Sequence, residues 1–410
     1  MNTHLEPIVL DPHGADIHGE NARLRARGPA TLVELPGGVR AWAITDQAVL
    51  KMMLAGDDVS KDPRLHWPAF QAGEIAEDWP LRPWVAAENM FTAYGDRHRR
   101  LRRIVAPAFA HRRVQALRPR IGAIAAELLE ALAVGAAGGV VDLRALFAYP
   151  LPIRVISELM GVPATLALRM RTCVDRFFDT SLFPEESQAA YATMYGLLGE
   201  LIDYRIENPG NDLTSLLVGD SDGPDGVLGR QEVLDTLLLV ISAGHETTVN
   251  LIDHAICELL MRPELRAGVE GGRIEWSAVI EETLRYQSSV AHLPLRYAVR
   301  DISVCGVDIK RGDAVLASYA AASRDPSIHG ATTDEFDPAR PTVRQHVAFG
   351  WGAHRCLGES LARLEAGIAL PAVFARFPDM KLDVADPAEL GAVTGFISNG
   401  HRHLPVRLMG

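Results

Sequence analysis

The hydrophobic pattern along this chain is mostly helical. Residues 111–136, "HRRVQALRPRIGAIAAELLEALAVGA", place apolar side chains at helical spacing in a background of Ala, Leu and Arg. Residues 231–261, "QEVLDTLLLVISAGHETTVNLIDHAICELLM", predict one continuous helix, roughly 45 Å long at about 1.5 Å per residue. Pro263 lies just past its end as a stop, and the breakers "GDSDGPDG" at 219–226 predict an exposed loop before it. Strand signals are short. "ATLVELPGGVRAWAIT" predicts a hairpin through Pro36-Gly37-Gly38, and "YAVRDISVCGVDIKRGDAVLASY" shows β-branched alternation broken by Gly306 and Gly312. With no fixed-period repeat and no low-complexity linker, the pattern predicts a mainly α protein with a minor β portion.

Composition narrows the partners. A hydrophobic content of 48% over 410 residues is ample for a large core, and a formal charge of −11 argues against nucleic acid. The four cysteines, at 173, 257, 305 and 356, form no CxxC pair, so a reducing compartment is expected. The first twenty residues carry no basic segment followed by an apolar one, and the central run "TLLLVISAG" is too short to span a bilayer. A soluble, cytoplasmic protein is expected.

Two motifs fail on inspection. "HETTV" at 245–249 begins like a zinc-protease HExxH, but Val249 stands where the second ligand belongs. "GWGAHR" begins like a dinucleotide fingerprint, but Arg355 replaces the third glycine. A zinc site built on His354 and Cys356 lacks a second Cys/His pair at suitable spacing.

The loop "FGWGAHRCLG", 349–358, is different. Gly350 and Gly352 permit backbone angles closed to other residues and let a large group approach the main chain. The helical pattern after it, "LGESLARLEAGIALPAVFARF", puts Cys356 at or just before a helix N-terminus, where N–H groups and the helix dipole favour a thiolate. By itself this leaves a ligand, a nucleophile or a buried packing cysteine open.

The loop resembles the haem-binding signature FxxGxHxCxG of the cytochrome P-450 superfamily, with Phe349, Gly352, His354, Cys356 and Gly358 at all five fixed positions. Other elements follow in the family's order. "AGHETT" at 243–248 resembles the oxygen-activation motif, an acid–alcohol pair of Glu246 and Thr247. Its residues alone predict that Thr247 bonds the Ala243 carbonyl and bends or opens the helix. "EETLRY" resembles the structural ExxR pair, here Glu282 and Arg285, one turn apart on a helix. Glu281 is out of register with it and is expected to be solvated. His98 and Arg102 match HxxxR, which binds haem propionates, as do Arg296 in "LPLRYAV" and His354. A departure is "ASRDP" at 322–326, where relatives often have Asn in place of Ser323.

The resemblance spans the chain and implies the P-450 fold in a single domain, 1–410, with haem b between the long central helix and the cysteine-loop helix. It implies Cys356 as the iron ligand, Phe349, Gly350 and Gly358 around it, and a monooxygenase that puts one oxygen atom of O2 into a C–H bond. It also implies electrons from NAD(P)H through a ferredoxin reductase and a ferredoxin. "RHRRLRR" with Arg112 and Arg113 is expected to dock that acidic partner. The alternatives are a peroxide-driven peroxygenase and a non-catalytic haem sensor or carrier. Segments expected at the distal pocket are apolar and suit a lipophilic substrate, a steroid first and a macrolide or polyketide next. The candidate contacts are Met90, Phe178, Val240, Ala243, Leu293 and Phe396. No membrane contact is expected, and the protein is expected to be a monomer.

Overall fold

Short strands must pair to satisfy their backbone, and six of them do so in the larger sheet: β1 (Ile8–Val9), β2 (Ala30–Leu35), β3 (Val39–Ile44), β4 (Val59–Ser60), β5 (Leu293–Ala298) and β6 (Ala314–Ala317). Their spatial order is β1-β2-β3-β6-β5-β4. β2 and β3 form the predicted hairpin, with Leu35 opposite Val39. Gly37 and Gly38 turn it at φ 81° and 79°, angles that few residues other than glycine adopt. The β1–β2 and β3–β6 pairs are parallel, and the other three are antiparallel. The computed structural model describes residues 6–136, 139–177, 184–219 and 228–408. Phe178 and nearly all of the loop 219–226 lie outside them.

The rest is dominated by helices, as the pattern predicted, and their apolar faces meet in one core that includes Leu101, Leu237, Val249, Leu284 and Leu370. Smaller clusters line the two faces of the sheet. Five helices carry the site: α1 (Gly95–Val105), α2 (Arg230–Gly244), α3 (Glu246–Leu260), α4 (Trp276–Tyr286) and α5 (Glu359–Arg376).

The long central helix is not continuous. It breaks at His245, where the turn is distorted to φ −83° and ψ −76°, so α2 and α3 are two helices of 15 residues each. The cause is local chemistry already visible in the residues. Thr247 Oγ1 donates to the Ala243 carbonyl at 2.8 Å, competing with the ladder. A side chain at Gly244 would come within 2.6 Å of Ile156 Cδ1, so glycine lets this helix pass the helix Pro150–Met160 without displacing that side chain.

Candidate active site

The cysteine loop is built by backbone geometry. Gly350 and Gly352 both lie at φ 70°. A Cβ on Gly352 would sit 1.8 Å from the Leu54 carbonyl oxygen, and one on Gly350 would sit 3.0 Å from the Tyr319 hydroxyl. Neither place can take a side chain without moving its neighbour. The Cys356 N–H closes the loop on the Phe349 carbonyl at 2.9 Å. α5 begins at Glu359 with Gly358 as its cap, so Cys356 stands two residues before the cap.

Cys356 is accessible, while Cys173 and Cys257 are buried. The helix start does not by itself produce a thiolate. Burial pushes the Cys356 thiol up, and Glu359 adds to the rise. The Gly358 N–H, Arg102 and Arg363 pull it down without reversing it. A cation bound at sulfur is what deprotonates a thiol in such a place.

Behind the loop lie two buried acid–base groups on α4. Glu282 and Arg285 are fully buried and joined by two hydrogen bonds of 2.7 and 2.8 Å. Arg285 also donates to the carbonyls of Thr333 and Glu335, and Glu282 accepts the Asp337 N–H. The pair therefore ties α4 to the segment leading into the loop.

Glu281 was expected to be solvated, and it is not: it is 2% exposed. It accepts from Arg363 of α5 at 2.6 and 3.1 Å and from His346 at 3.1 Å. Adjacent helical positions point in different directions, so Glu281 meets α5 while Glu282 meets Arg285. His346 Nδ1 accepts the Ala348 N–H, which leaves its proton on Nε2, aimed at Glu281.

Burial pushes the Glu281 carboxyl up, but the hydrogen bonds from His346 and Arg363 outweigh it and hold it at about 2. A depressed folded value adds stability above the unfolded value of 4.5 and loses it as pH falls toward 2. At neutral pH this is worth about 3 kcal/mol. We expect Glu281→Gln to lower stability at neutral pH and to flatten the acid limb between about pH 5 and about pH 2. Denaturant unfolding over that range checks it, and an unchanged acid limb would refute it.

On the other side of the loop, basic groups collect. The His98 and His354 rings lie 3.9 Å apart between centroids. Burial first, then Arg102 and Arg99, lower His98 to about 4, and burial with four neighbouring bases lowers His354 well below the usual range. Arg296 is 3% exposed and donates to the Tyr319 hydroxyl at 3.1 Å. His98 Nε2 and Arg296 Nη1 are buried with no partner among the described residues. Arg102 donates to the Arg355 carbonyl at 2.7 Å, so it braces the loop directly.

On the α2–α3 break, Glu246 Oε1 accepts from Ser398 Oγ at 3.0 Å, and Ser398 accepts from Asn250 Nδ2 at 2.9 Å. Sequence reasoning placed nearby Phe396 at the distal pocket but did not name Ser398, the partner of Glu246. No local signal links positions 152 residues apart.

The basic run is largely paired. Arg97 meets Glu88, Arg99 meets Asp96, and Arg100 meets Glu232. The substrate candidates differ in burial. Ala243 is accessible although it sits on a core helix, Leu293 is half-buried, and Val240 is 9% exposed. Met90 packs against the helical core. Phe396, at 2% exposed, belongs to the core of the sheet, with its ring 6.0 Å from His292. Phe178 lies outside the described residues.

Taken together, an accessible cysteine in a glycine-pinned loop stands beside buried bases with unused donors. That set fits a group with one metal for sulfur and carboxylates for the bases, which is haem. Among the described residues no cluster of three or more His, Cys, Asp or Glu could hold a metal by itself, so a cysteine-plus-porphyrin site fits better than a protein-only one.

The family model described as Cytochrome P450 matches residues 276–388, a span that holds both the Glu282–Arg285 pair and the cysteine loop. The 2-hydroxy-5-methyl-1-naphthoate 7-hydroxylase of Streptomyces carzinostaticus is 43% identical over 404 residues, covering 98% of each chain. The chain belongs to the cytochrome P450 family. Its fold agrees. A structure of CYP154A1 from Streptomyces coelicolor A3(2) matches with a TM-score of 0.89 at 53% identity, over 98% of this chain and 100% of the other. "Testerone bound CYP154C4 from Streptomyces sp. ATCC 11861" matches with a TM-score of 0.92 at 44% identity, over 98% of both. This P450 is therefore an oxygen-incorporating oxidoreductase. No helix among its described residues is long and apolar enough to cross a membrane.

Proposed function

We propose that this P450 hydroxylates a lipophilic substrate, a steroid in the first instance and a macrolide or polyketide next. The whole chain, 1–410, acts as one catalytic unit, a cytoplasmic monomer, fed from NAD(P)H through a ferredoxin reductase and a ferredoxin. The observation that carries the oxygen-activating reading is the formed acid–alcohol pair. Thr247 is bonded to the opened helix turn and Glu246 is anchored by Ser398. A peroxide-driven enzyme has no need of a proton relay, because peroxide already brings protons and electrons. The steroid-first order rests on two similar proteins that take fused rings, one named for a naphthoate and one solved with a steroid.

Cys356 would hold the haem iron, and His98, Arg102, Arg296 and His354 its propionates, with Phe349, Gly350 and Gly358 packed round the loop. Bound haem supplies the redox centre at which dioxygen is activated. The chain's own work is positioning and proton management. The Thr247 hydroxyl spends its proton on Ala243, so its oxygen is free to accept from a water on the distal side. Glu246 uses Oε1 for Ser398 and has Oε2 left to pass a proton toward Thr247. Asn250 donates to Ser398, which turns the serine proton toward Glu246 and holds the carboxylate in place.

With a full electron supply, Thr247→Ala is expected to keep consuming oxygen but release it as peroxide. Product per NAD(P)H should fall on the order of tenfold or more. Ser398→Ala should give a smaller fall in the same direction. Coupling that is unchanged in both variants would refute the relay. Spin-state titration of the ferric protein with steroids, macrolides and fatty acids tests the substrate class. Turnover with peroxide as fast as with ferredoxin and reductase would favour the peroxygenase, and binding without any oxidised product would favour a carrier.

A further inference from the structure

Lys61 is a buried lysine with no carboxylate partner among the described residues. It is 3% exposed, and its one hydrogen bond among the described residues is a long one, 3.4 Å to the Pro294 carbonyl. On its other side the Phe91 ring centroid lies 3.7 Å from Nζ. A lysine this deep is ordinarily paired with a carboxylate, because an unpaired buried charge costs several kcal/mol. Here the neighbouring ionisable group is another cation, Arg296, and burial together with Arg296 pushes the ammonium well toward its neutral form.

The fold explains the placement. β4 and β5 pair antiparallel with Ser60 opposite Tyr297 and Val59 opposite Ala298. Continuing that register sets Lys61 across from Arg296, and directly opposed residues share one face of a sheet. The same neighbourhood holds His354, whose surrounding bases are His98, Lys61, Arg296 and Arg102. A cavity of about 130 Å³ reaches this cluster, lined in part by His98, Arg296 and His354.

Resting on the haem reading above, we propose that Lys61 is a further cation holding a haem propionate, sharing with Arg296 a carboxylate that the chain itself does not supply. Arg296 Nη1, buried and unpartnered among the described residues, and the Lys61 ammonium would be satisfied together by that group. Phe91 caps the far side and keeps water off the pair.

The test uses the haem-loaded protein. Lys61→Met keeps the length and apolar body of the side chain and removes the charge. Haem transfer to an excess of a haem-scavenging apoprotein, followed at the Soret band, should be about tenfold faster than in the unaltered chain, about 1.4 kcal/mol of haem affinity. The haem reduction potential should fall, since a positive charge near the iron has been removed. Far-UV circular dichroism should not change, because the methionine keeps the apolar packing of the stem and Arg296 still meets the carboxylate. Haem loss within twofold of the unaltered chain, with an unmoved potential, overturns the assignment. So does a variant whose haem is unaffected but whose spin-shift titration weakens for a carboxylate-bearing ligand and not for its amide, since Lys61 would then serve the substrate. The carbonyl spectrum of the unaltered chain, taken in the same preparation, reports separately on whether haem–thiolate ligation itself holds.

Discussion

Cys356→Ser is expected to abolish the strongly red-shifted Soret band of the reduced, carbonyl-bound protein and to take monooxygenase turnover to background. The loop leaves little freedom for a substitute. Cys356 is pinned through its N–H to Phe349, and two left-handed glycines fix the path between them. The other cysteines cannot replace it. Cys173 and Cys257 are buried in the helical core, and Cys305 sits in the tight turn between residues 302–304 and 307–309. His354 is two residues away, but its ring lies against that of His98, 3.9 Å between centroids. A serine hydroxyl at this place is far less acidic than a thiol and gives the iron no comparable electron donation. Absorption spectroscopy of the reduced, carbonyl-treated variant is the measurement. A band identical to that of the unaltered chain would mean that sulfur of Cys356 is not the ligand.

Glu282→Ala is expected to prevent accumulation of folded, haem-loaded protein. Removing one partner of a fully buried ion pair leaves the other charge stranded and costs roughly 3–5 kcal/mol. Total stability of a folded chain is on the order of 5–15 kcal/mol. The local loss is wider than one pair. Arg285 holds the carbonyls of Thr333 and Glu335, and Glu282 holds the Asp337 N–H, so the approach to the cysteine loop comes loose as well. Arg285→Lys should fail almost as badly, because lysine cannot reproduce the two-pronged geometry at Glu282 and reach both carbonyls. Glu282→Gln, which keeps the shape and one acceptor, should be intermediate. Haem content per chain and the thermal midpoint check the series. Full haem loading and an unshifted midpoint in Glu282→Ala would show that the pair is dispensable.

Neighbouring positions show how far sequence reasoning reaches. Glu282 and Arg285 are three apart, and that spacing alone predicts their contact on one helix. Glu281 stands next to them, and its partner Arg363 is 82 residues away on α5. Nothing in "EETLRY" signals that second contact, which is why Glu281 reads as solvated in the sequence and is buried in the fold. The helix break follows the same division. The Thr247 bond to Ala243 is a four-residue relation and is predicted from the residues. That it ends one helix and starts another at His245, with Gly244 against Ile156, depends on a helix packed across it. Phe396 reads as a substrate contact because its segment is apolar. Its packing beside Leu295, Tyr297 and Leu316 on one face of the sheet is decided by the tertiary fold.

The sequence by itself determined the relations that span a few residues. These are the glycine-pinned cysteine loop, the hairpin at Gly37-Gly38, the Glu282–Arg285 pair and the Thr247–Ala243 bond in the central helix. Each depends on backbone angles or on one turn of helix, which local residue types dictate. Only the tertiary structure decided the partners brought from far along the chain. It placed Lys61 next to the Ser60–Tyr297 pair and near Arg296, Ser398 against Glu246, and Arg363 with His346 on Glu281. Those contacts arise when strands and helices distant in sequence pack together. Their donors and acceptors are then shut away from water and must satisfy one another, and no short stretch of the chain carries that information.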